Sequence, residues 1–383
     1  MKKTFLFLSL FMFLCGHSQI SKTIHVTTQG DLSTLLTDDE KNTVTNLTVT
    51  GTIDVRDIKC MRDQMAVLSI LDLSAANIAA YSGGAVTHPS FTTYPSNEMP
   101  AYSFRNPYTA QSKSTLTNVK LPNSLLSIGQ SAFSVCSGLK SINIGNSVET
   151  INTDAFYTCY ELETVEMGDG LKSIGYSAFD NCSKLVNLTL GKNLTTIGPD
   201  AFSDCTSLIN VVIPNSVTTV QSSAFSYCSS LTTLTIGSSV SSIEVSAFSA
   251  CSNIKTIYSL NPNPPGVNLC FSGVTSVKTV YVPATSVSAY KNASGWSDSF
   301  YTKIIANPVS SSPVITESKV KVYISNSEMN IDGTFNGEIL SIYTLNGKLV
   351  KSIKSLGDKI TITDLSKNFY LVKTTNETFK VIF

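Results

Sequence analysis

Thiols are the first groups whose spacing could do chemistry. Cys136, Cys159, Cys182, Cys205, Cys228 and Cys251 follow one another at an unbroken step of 23 residues. Regularly placed thiols can act as nucleophiles, pair as disulfides or hold a metal, and each role needs partners. If successive cysteines sit on adjacent coils, their Cα atoms lie about 5 Å apart, within disulfide reach. A stacked column, however, aims its Cβ bonds in parallel rather than toward one another. A metal ladder would need Cys-x-x-Cys pairs or histidine partners, and the column has neither. The expectation is therefore a column of buried free thiols acting as small apolar fillers.

Histidine and carboxylate chemistry is equally sparse. Behind a leader segment only His25 and His88 remain, the second in a Thr-His-Pro loop, so a Ser-His-Asp or Cys-His site has little to build on. Glu161 and Glu163 fall on a repeating surface with nothing to desolvate them, and Gly83-Gly84 reads as a turn rather than a phosphate loop. No catalytic residue and no metal ligand is assigned, and the chain is expected to be no enzyme and to need no cofactor. Net charge is zero and charged residues make up only 14%, which removes the basic footprint that nucleic acid requires.

The elements that position these groups follow from one internal period. Ala132-Phe133 recurs as Ala155-Phe156, Ala178-Phe179, Ala201-Phe202, Ala224-Phe225 and Ala247-Phe248, again every 23 residues. Leu139, Leu162, Leu185, Leu208, Leu231 and Ile254 form another column, Ile142 to Ile257 a third, and Ile151 to Ile243 a further one. In Leu139–Ile144 the apolar residues at 139, 142 and 144 give a short strand with alternate side chains inward. One strand per unit cannot fold alone, so neighbouring units must stack their strands into a parallel sheet over a shared core. The Ala-Phe-x-x-x-Cys segment is expected to run as a helical turn or short helix on the opposite side.

Met1–Gln19 reads as a secretory leader, with Lys2 and Lys3, an apolar run from Phe5 to Cys15, and cleavage after Ser18. Leu14 stands where lipid attachment at Cys15 would want a small residue, and the run is too short to span a membrane. Residues 19–115 form an N-terminal cap and first irregular coils, with strands at Asn46–Ile53 and Leu68–Leu73 and a helix over Leu32–Lys41. Residues 116–304 form the solenoid. The prolines of Asn261–Gly266 interrupt its ladder, Val277, Val280 and Val282 resume it once, and Trp296 forms a lid. A Pro/Ser-rich linker spans 305–317. Residues 318–383 alternate like a small antiparallel β-sandwich, with a hairpin turn at Asn346-Gly347.

Strand alternation points Asn143, Glu166, Asn187, Thr189, Asn210, Val212, Thr233, Thr235 and Tyr258 outward from the expected concave sheet. These nine residues are the candidate binding face. A second candidate is the insert Tyr81–Tyr108 with Phe91, Tyr94, Tyr102 and Phe104, whose aromatics could anchor a partner or pack the cap.

Ser127-Ile128-Gly129 with Ala132-Phe133, and Ser173-Ile174-Gly175 with Ala178-Phe179, resemble the running phrase of BspA-like leucine-rich repeats over residues 116–283. The resemblance implies a right-handed leucine-rich-repeat solenoid and a secreted or outer-surface protein, often adhesive toward cells or host proteins. Tyr343–Val350, Asp364–Lys373 and Phe379–Phe383 resemble the sorting domain of type IX secretion, although Asn368-Phe369 replaces its usual Gly-Ile. That likeness implies engagement of the type IX export machinery. The expected function is recognition or adhesion toward an extracellular protein or glycan, with no nucleic acid partner and no membrane span. The alternative is a structural or assembly protein of the cell envelope.

Overall fold

The computed structural model describes residues 19–108 and 112–307, and seven C-terminal strands between 321 and 382. The leader, Cys15, most of the linker and the Asn346-Gly347 turn lie outside the described residues. Two compact units divide between residues 310 and 311.

In the first unit the 23-residue period becomes strand register. Ser141–Asn143 pairs in parallel with Thr164–Glu166, which pairs with Asn187–Thr189, residue 142 beside 165 beside 188. This front ladder begins earlier, at Ser21–Val26, Asn46–Ile53, Ile70–Asp72 and Asn118–Lys120. It continues in a second section through Asn210–Val212, Thr233–Ile236, Thr256–Ser259, Thr279–Val282 and Ile304–Ala306. Among the described residues no strand pairing joins Asn187–Thr189 to Asn210–Val212, and Leu188 and Leu190 are only partly buried at that seam.

A second parallel ladder runs through two-residue strands, from Glu98–Met99 and Ser127–Ile128 to Ser242–Ile243 and Gly266–Val267. The isoleucines that head this column, such as Ile151 and Ile197, are fully buried. Contrary to the expected interruption at the Asn261–Gly266 prolines, Gly266 and Val267 still pair with Ser242 and Ile243. Prolines forbid donors at their own positions only.

The Ala-Phe-x-x-x-Cys segment is not helical, contrary to expectation. Ser131, Phe133 and Val135 donate their N–H groups to the carbonyls of Thr153, Ala155 and Tyr157 on the next coil at 3.0, 2.8 and 2.7 Å. Donors committed to a neighbouring coil cannot close helical turns within their own. Ser131 and Val135 also adopt φ of 53° and 60°, as Asp154 and Thr158 do one coil later at 56° and 62°, and left-handed residues end a helix.

This backbone stacks the phenylalanines. Phe104, Phe133, Phe156, Phe179, Phe202, Phe225, Phe248 and Phe271 form one column with adjacent centroids 4.9 to 5.7 Å apart and near-parallel planes. At its far end Trp296 and Phe300 meet Phe271 edge-on at 5.8 and 5.3 Å, and the buried Trp296 donates Nε1–H to the Pro265 carbonyl at 2.9 Å. Ile304–Ala306 adds a front strand beside Thr279–Val282, so Ile305 and Ala306, expected in the linker, belong to the ladder.

At the start of the chain the expected single helix is two, Leu32–Leu35 and Asp38–Thr43, because Thr37 caps the second by accepting from the Glu40 N–H. A further helix, Val55–Asp63, begins at the Asp54 cap. The buried Asp57 carboxylate accepts from the N–H groups of Gly30, Leu32 and Asp54.

The second unit contains two antiparallel sheets. One orders Lys321–Ser325, Glu328–Asp332 and Lys359–Ile362; the other orders Leu349–Lys354, Ile339–Thr344, Phe369–Lys373 and Thr378–Ile382.

Candidate binding face

The front ladder sets all nine candidate residues on outward positions, because buried Ile142, Val165, Val211, Leu234 and Ile257 alternate with them. Register arranges them in two rows. The first passes through Asn187, then Asn210 and Thr233; the second through Asn143, Glu166 and Thr189, then Val212, Thr235 and Tyr258.

The two sections of the face differ in chemistry. On the N-terminal section several outward side chains pair with one another, although Thr189 does not. Lys120 Nζ donates to Asp72 at 2.7 Å, Asn143 Nδ2 to Glu166 at 3.0 Å, and Asn187 Nδ2 to Thr164 Oγ1 at 3.3 Å. Asn143 also accepts from the Gly145 N–H at 2.8 Å, and it lines an open groove of about 570 Å³ with Lys120, Pro122 and Asn146. The groove lies where Asn118–Lys120 and Ser141–Asn143 pair at a single position.

On the C-terminal section the side chains of Asn210, Thr233, Thr235 and Tyr258 make no hydrogen bond to the described protein. Tyr258 stacks on Tyr281 at 5.0 Å and 18°. Val212 and Ile305 at the two ends of this row are 52% and 45% exposed. Sequence reasoning misses Tyr281 and Ile305, although the 23-residue step from Tyr258 lands on Tyr281.

The aromatic insert is mostly packing. Tyr94 and Phe104 are buried, and the Tyr94 hydroxyl accepts from the Val86 and Thr87 N–H groups while donating to the Phe91 carbonyl. His88 stacks on Tyr102 at 4.3 Å and accepts from the Ser90 N–H, and His25 meets Thr50 Oγ1 at 2.9 Å. Neither imidazole has a carboxylate beside it in these contacts.

The cysteine column is buried and free. Its thiols are more than fillers: Cys159, Cys182, Cys205, Cys228 and Cys251 each donate S–H to a phenylalanine carbonyl of the preceding coil at 3.0 to 3.3 Å. Burial pushes the thiols of Cys136 and Cys182 up to about 12, which suppresses the nucleophilic thiolate. On the turn side burial, with Asp204 and Asp200 nearby, raises Asp180 to about 6. Among the described residues no group of three or more His, Cys, Asp or Glu could hold a metal ion, and no helix is long and apolar enough to cross a membrane.

Stacked coils of fixed period, two parallel ladders and a phenylalanine column describe a repeat solenoid. The BspA-type leucine-rich repeat region is matched in six copies, over residues 106–229 and 172–299, which together span just over half the chain. The chain belongs to the BspA-type leucine-rich repeat family. No curated protein matches the sequence.

Solved structures of leucine-rich repeat proteins resemble this family member over part of its length. A Treponema pallidum leucine-rich repeat protein is 26% identical, covering 37% of this chain and 71% of its own, with a TM-score of 0.33. A Bacteroides ovatus leucine-rich repeat protein is 22% identical over 62% of this chain and 61% of its own, with a TM-score of 0.34. A leucine-rich cell surface protein of Faecalibacterium prausnitzii is 17% identical over 74% and 83%, also with a TM-score of 0.34.

Proposed function

We propose that the chain is a secreted or outer-surface recognition and adhesion protein that binds an extracellular protein or glycan through its front ladder. In this reading the solenoid is right-handed with that ladder on its concave side, and residues 19–115 and the Trp296 segment act as caps. The observation that carries the reading is the C-terminal section of the face. Rigidly stacked strands hold Asn, Thr and Tyr groups outward in fixed rows, with no partner in the described protein for their hydrogen-bonding atoms. A spacer gains nothing from such rows, whereas a binding surface gains preorganisation. The self-paired side chains of the N-terminal section suit an envelope scaffold, and that is the competing reading.

The leader directs export with cleavage after Ser18, and residues 318–383 form a β-sandwich that serves as the type IX sorting tag. Deleting residues 319–383 is expected to leave the protein in the periplasm; normal surface delivery of the truncation would refute the tag. The binding reading is tested by screening the purified chain against matrix proteins, glycans and bacterial cells beside a Thr189→Lys, Val212→Lys, Thr235→Lys variant. Binding that the variant loses while keeping its fold supports the proposal. Equal binding by both chains overturns the front ladder as the site and moves it to the aromatic insert Tyr81–Tyr108, and no binding by either chain favours the scaffold.

A further inference from the structure

We infer that the C-terminal section of the front face, from Asn210 to Ile305, is a binding site for an uncharged polysaccharide. This deepens the recognition reading above and rests on it. Within the rows the outward residues are Asn210, Thr233, Thr256 and Thr279 on one side and Val212, Thr235, Tyr258, Tyr281 and Ile305 on the other. None carries a charge.

The threonine and tyrosine hydroxyls of Thr233, Thr256, Thr279, Tyr258 and Tyr281 have no hydrogen-bond partner in the described protein. Each can donate and accept, as sugar hydroxyls do. The Tyr258–Tyr281 stack and the flanking Val212 and Ile305 supply apolar surface beside them, which suits the C–H faces of sugar rings.

Three considerations favour a polysaccharide over a protein. Threonines recurring at the strand spacing of about 4.8 Å make a translational repeat, and a polymer of identical sugars is the ligand that can meet every step alike. Many weak contacts then add along one chain. A peptide that binds by strand addition needs a free sheet edge, whereas the strands Thr233–Ile236, Thr256–Ser259 and Thr279–Val282 are paired on both sides. An acidic or basic protein surface would find no counter-charge in the rows. Three cations, exposed Lys255 and Lys278 and half-buried Lys303, stand one residue before the strands, at the margin of the face, and Lys303 Nζ lies over the Phe300 ring at 5.8 Å. An acidic polysaccharide is therefore the competitor that the experiment must separate.

The experiment presents the full chain to immobilised dextran, α-mannan, β-1,3-glucan and galactan, to heparin and polygalacturonate, and to matrix proteins. Binding is measured at low salt and at about 0.5 M NaCl, where surface charge interactions are screened. The expected result is binding to a neutral polysaccharide that persists in salt, weakens about tenfold or more in Tyr258→Ala and Tyr281→Ala, and is unchanged in Lys255→Ala. Tyr258→Phe, which keeps the stack and loses the hydroxyl, should show a smaller loss, and thermal melts identify any variant that has lost its fold.

Binding to heparin or polygalacturonate alone, lost in salt or in Lys255→Ala, overturns the inference. So does neutral-glycan binding that the tyrosine variants leave intact. If a matrix protein binds and the Thr189→Lys, Val212→Lys, Thr235→Lys variant loses it while no glycan binds, the glycan inference fails and the recognition reading survives. If nothing in the panel binds, both fail.

Discussion

Phe179→Ala should be among the most damaging single changes in the solenoid. Phe179 is fully buried at the middle of the ring column, with Phe156 4.9 Å away on one side and Phe202 5.2 Å away on the other. Truncation removes a whole ring from a site whose walls cannot close. The flanking backbones are held by ladder bonds from Phe156 to Ala178 at 2.7 Å and from Phe179 to Ala201 at 2.8 Å. Buried Phe→Ala changes that leave a cavity cost about 3–5 kcal/mol, and the rigid stack places this one toward the upper half. Equilibrium urea unfolding should be followed by far-ultraviolet circular dichroism and by fluorescence of Trp296, the single tryptophan, which sits on Phe271 four coils away. Coupled coils would shift both probes together, whereas an array broken at the cavity would separate them. Phe179→Leu should cost less than half as much. A loss below about 1 kcal/mol for Phe179→Ala would refute a central role for the column.

The buried thiols should resist a disulfide-exchange reagent at pH 8 in the native protein and react only on unfolding, as mass spectrometry of labelled peptides can show; fast native labelling of Cys182 would contradict its burial. Burial raises the Asp180 carboxyl to about 6 in the folded protein, against about 4 when unfolded. Its ionisation therefore lowers stability as pH rises from about 4 through 6, and costs nothing below that window. Asp180→Asn should gain about 1–2 kcal/mol at pH 7.5, after allowance for partial screening, and almost nothing at pH 3.5; an equal gain at both, measured by urea midpoints, would exclude the mechanism. Gly170→Ala would place a Cβ 1.9 Å from the Asn146 carbonyl oxygen, so a loss of about 2 kcal/mol or more is expected in the same assay; a neutral effect would show that adjacent coils can slide apart.

Much of the solenoid was legible because identical residues at one step specify identical environments. The Phe and Cys columns lie in the core with nearly all of the Leu and Ile columns, and outward alternation around Ile142, Val165 and Leu234 followed from single residues. What escaped has physical reasons. The Ile151-to-Ile243 column shows in the sequence, but not that it forms a second ladder, because pairs such as Thr150-Ile151 and Ser173-Ile174 are too short to display strand alternation. The Ala-Phe segment has helix-compatible residues, and its conformation is decided by bonds to the next coil that local propensity does not encode. Tyr281 escapes because the resumed ladder is legible in its inward Val280 and Val282, while the outward position between them carries no residue type repeated along the array, and Ile305 escapes because the Pro/Ser-rich run from 305 reads as a linker. The chemistry of the face needed the folded structure, since only there do paired Asn143 and Asn187 differ from Thr233 and Tyr258, which find no hydrogen-bond partner in the described protein.

Hydroxyl-radical footprinting of the chain, free and saturated with whatever partner the binding panel captures, tests the central claim most directly. Tyr258 and Tyr281 report on the front face, while Tyr176 and Tyr227, 51% and 56% exposed in the turn segments, serve as internal controls. The front-face account predicts protection of Tyr258 and Tyr281 with Tyr176 and Tyr227 unchanged. Protection of Tyr176 and Tyr227 with Tyr258 and Tyr281 unchanged would contradict it.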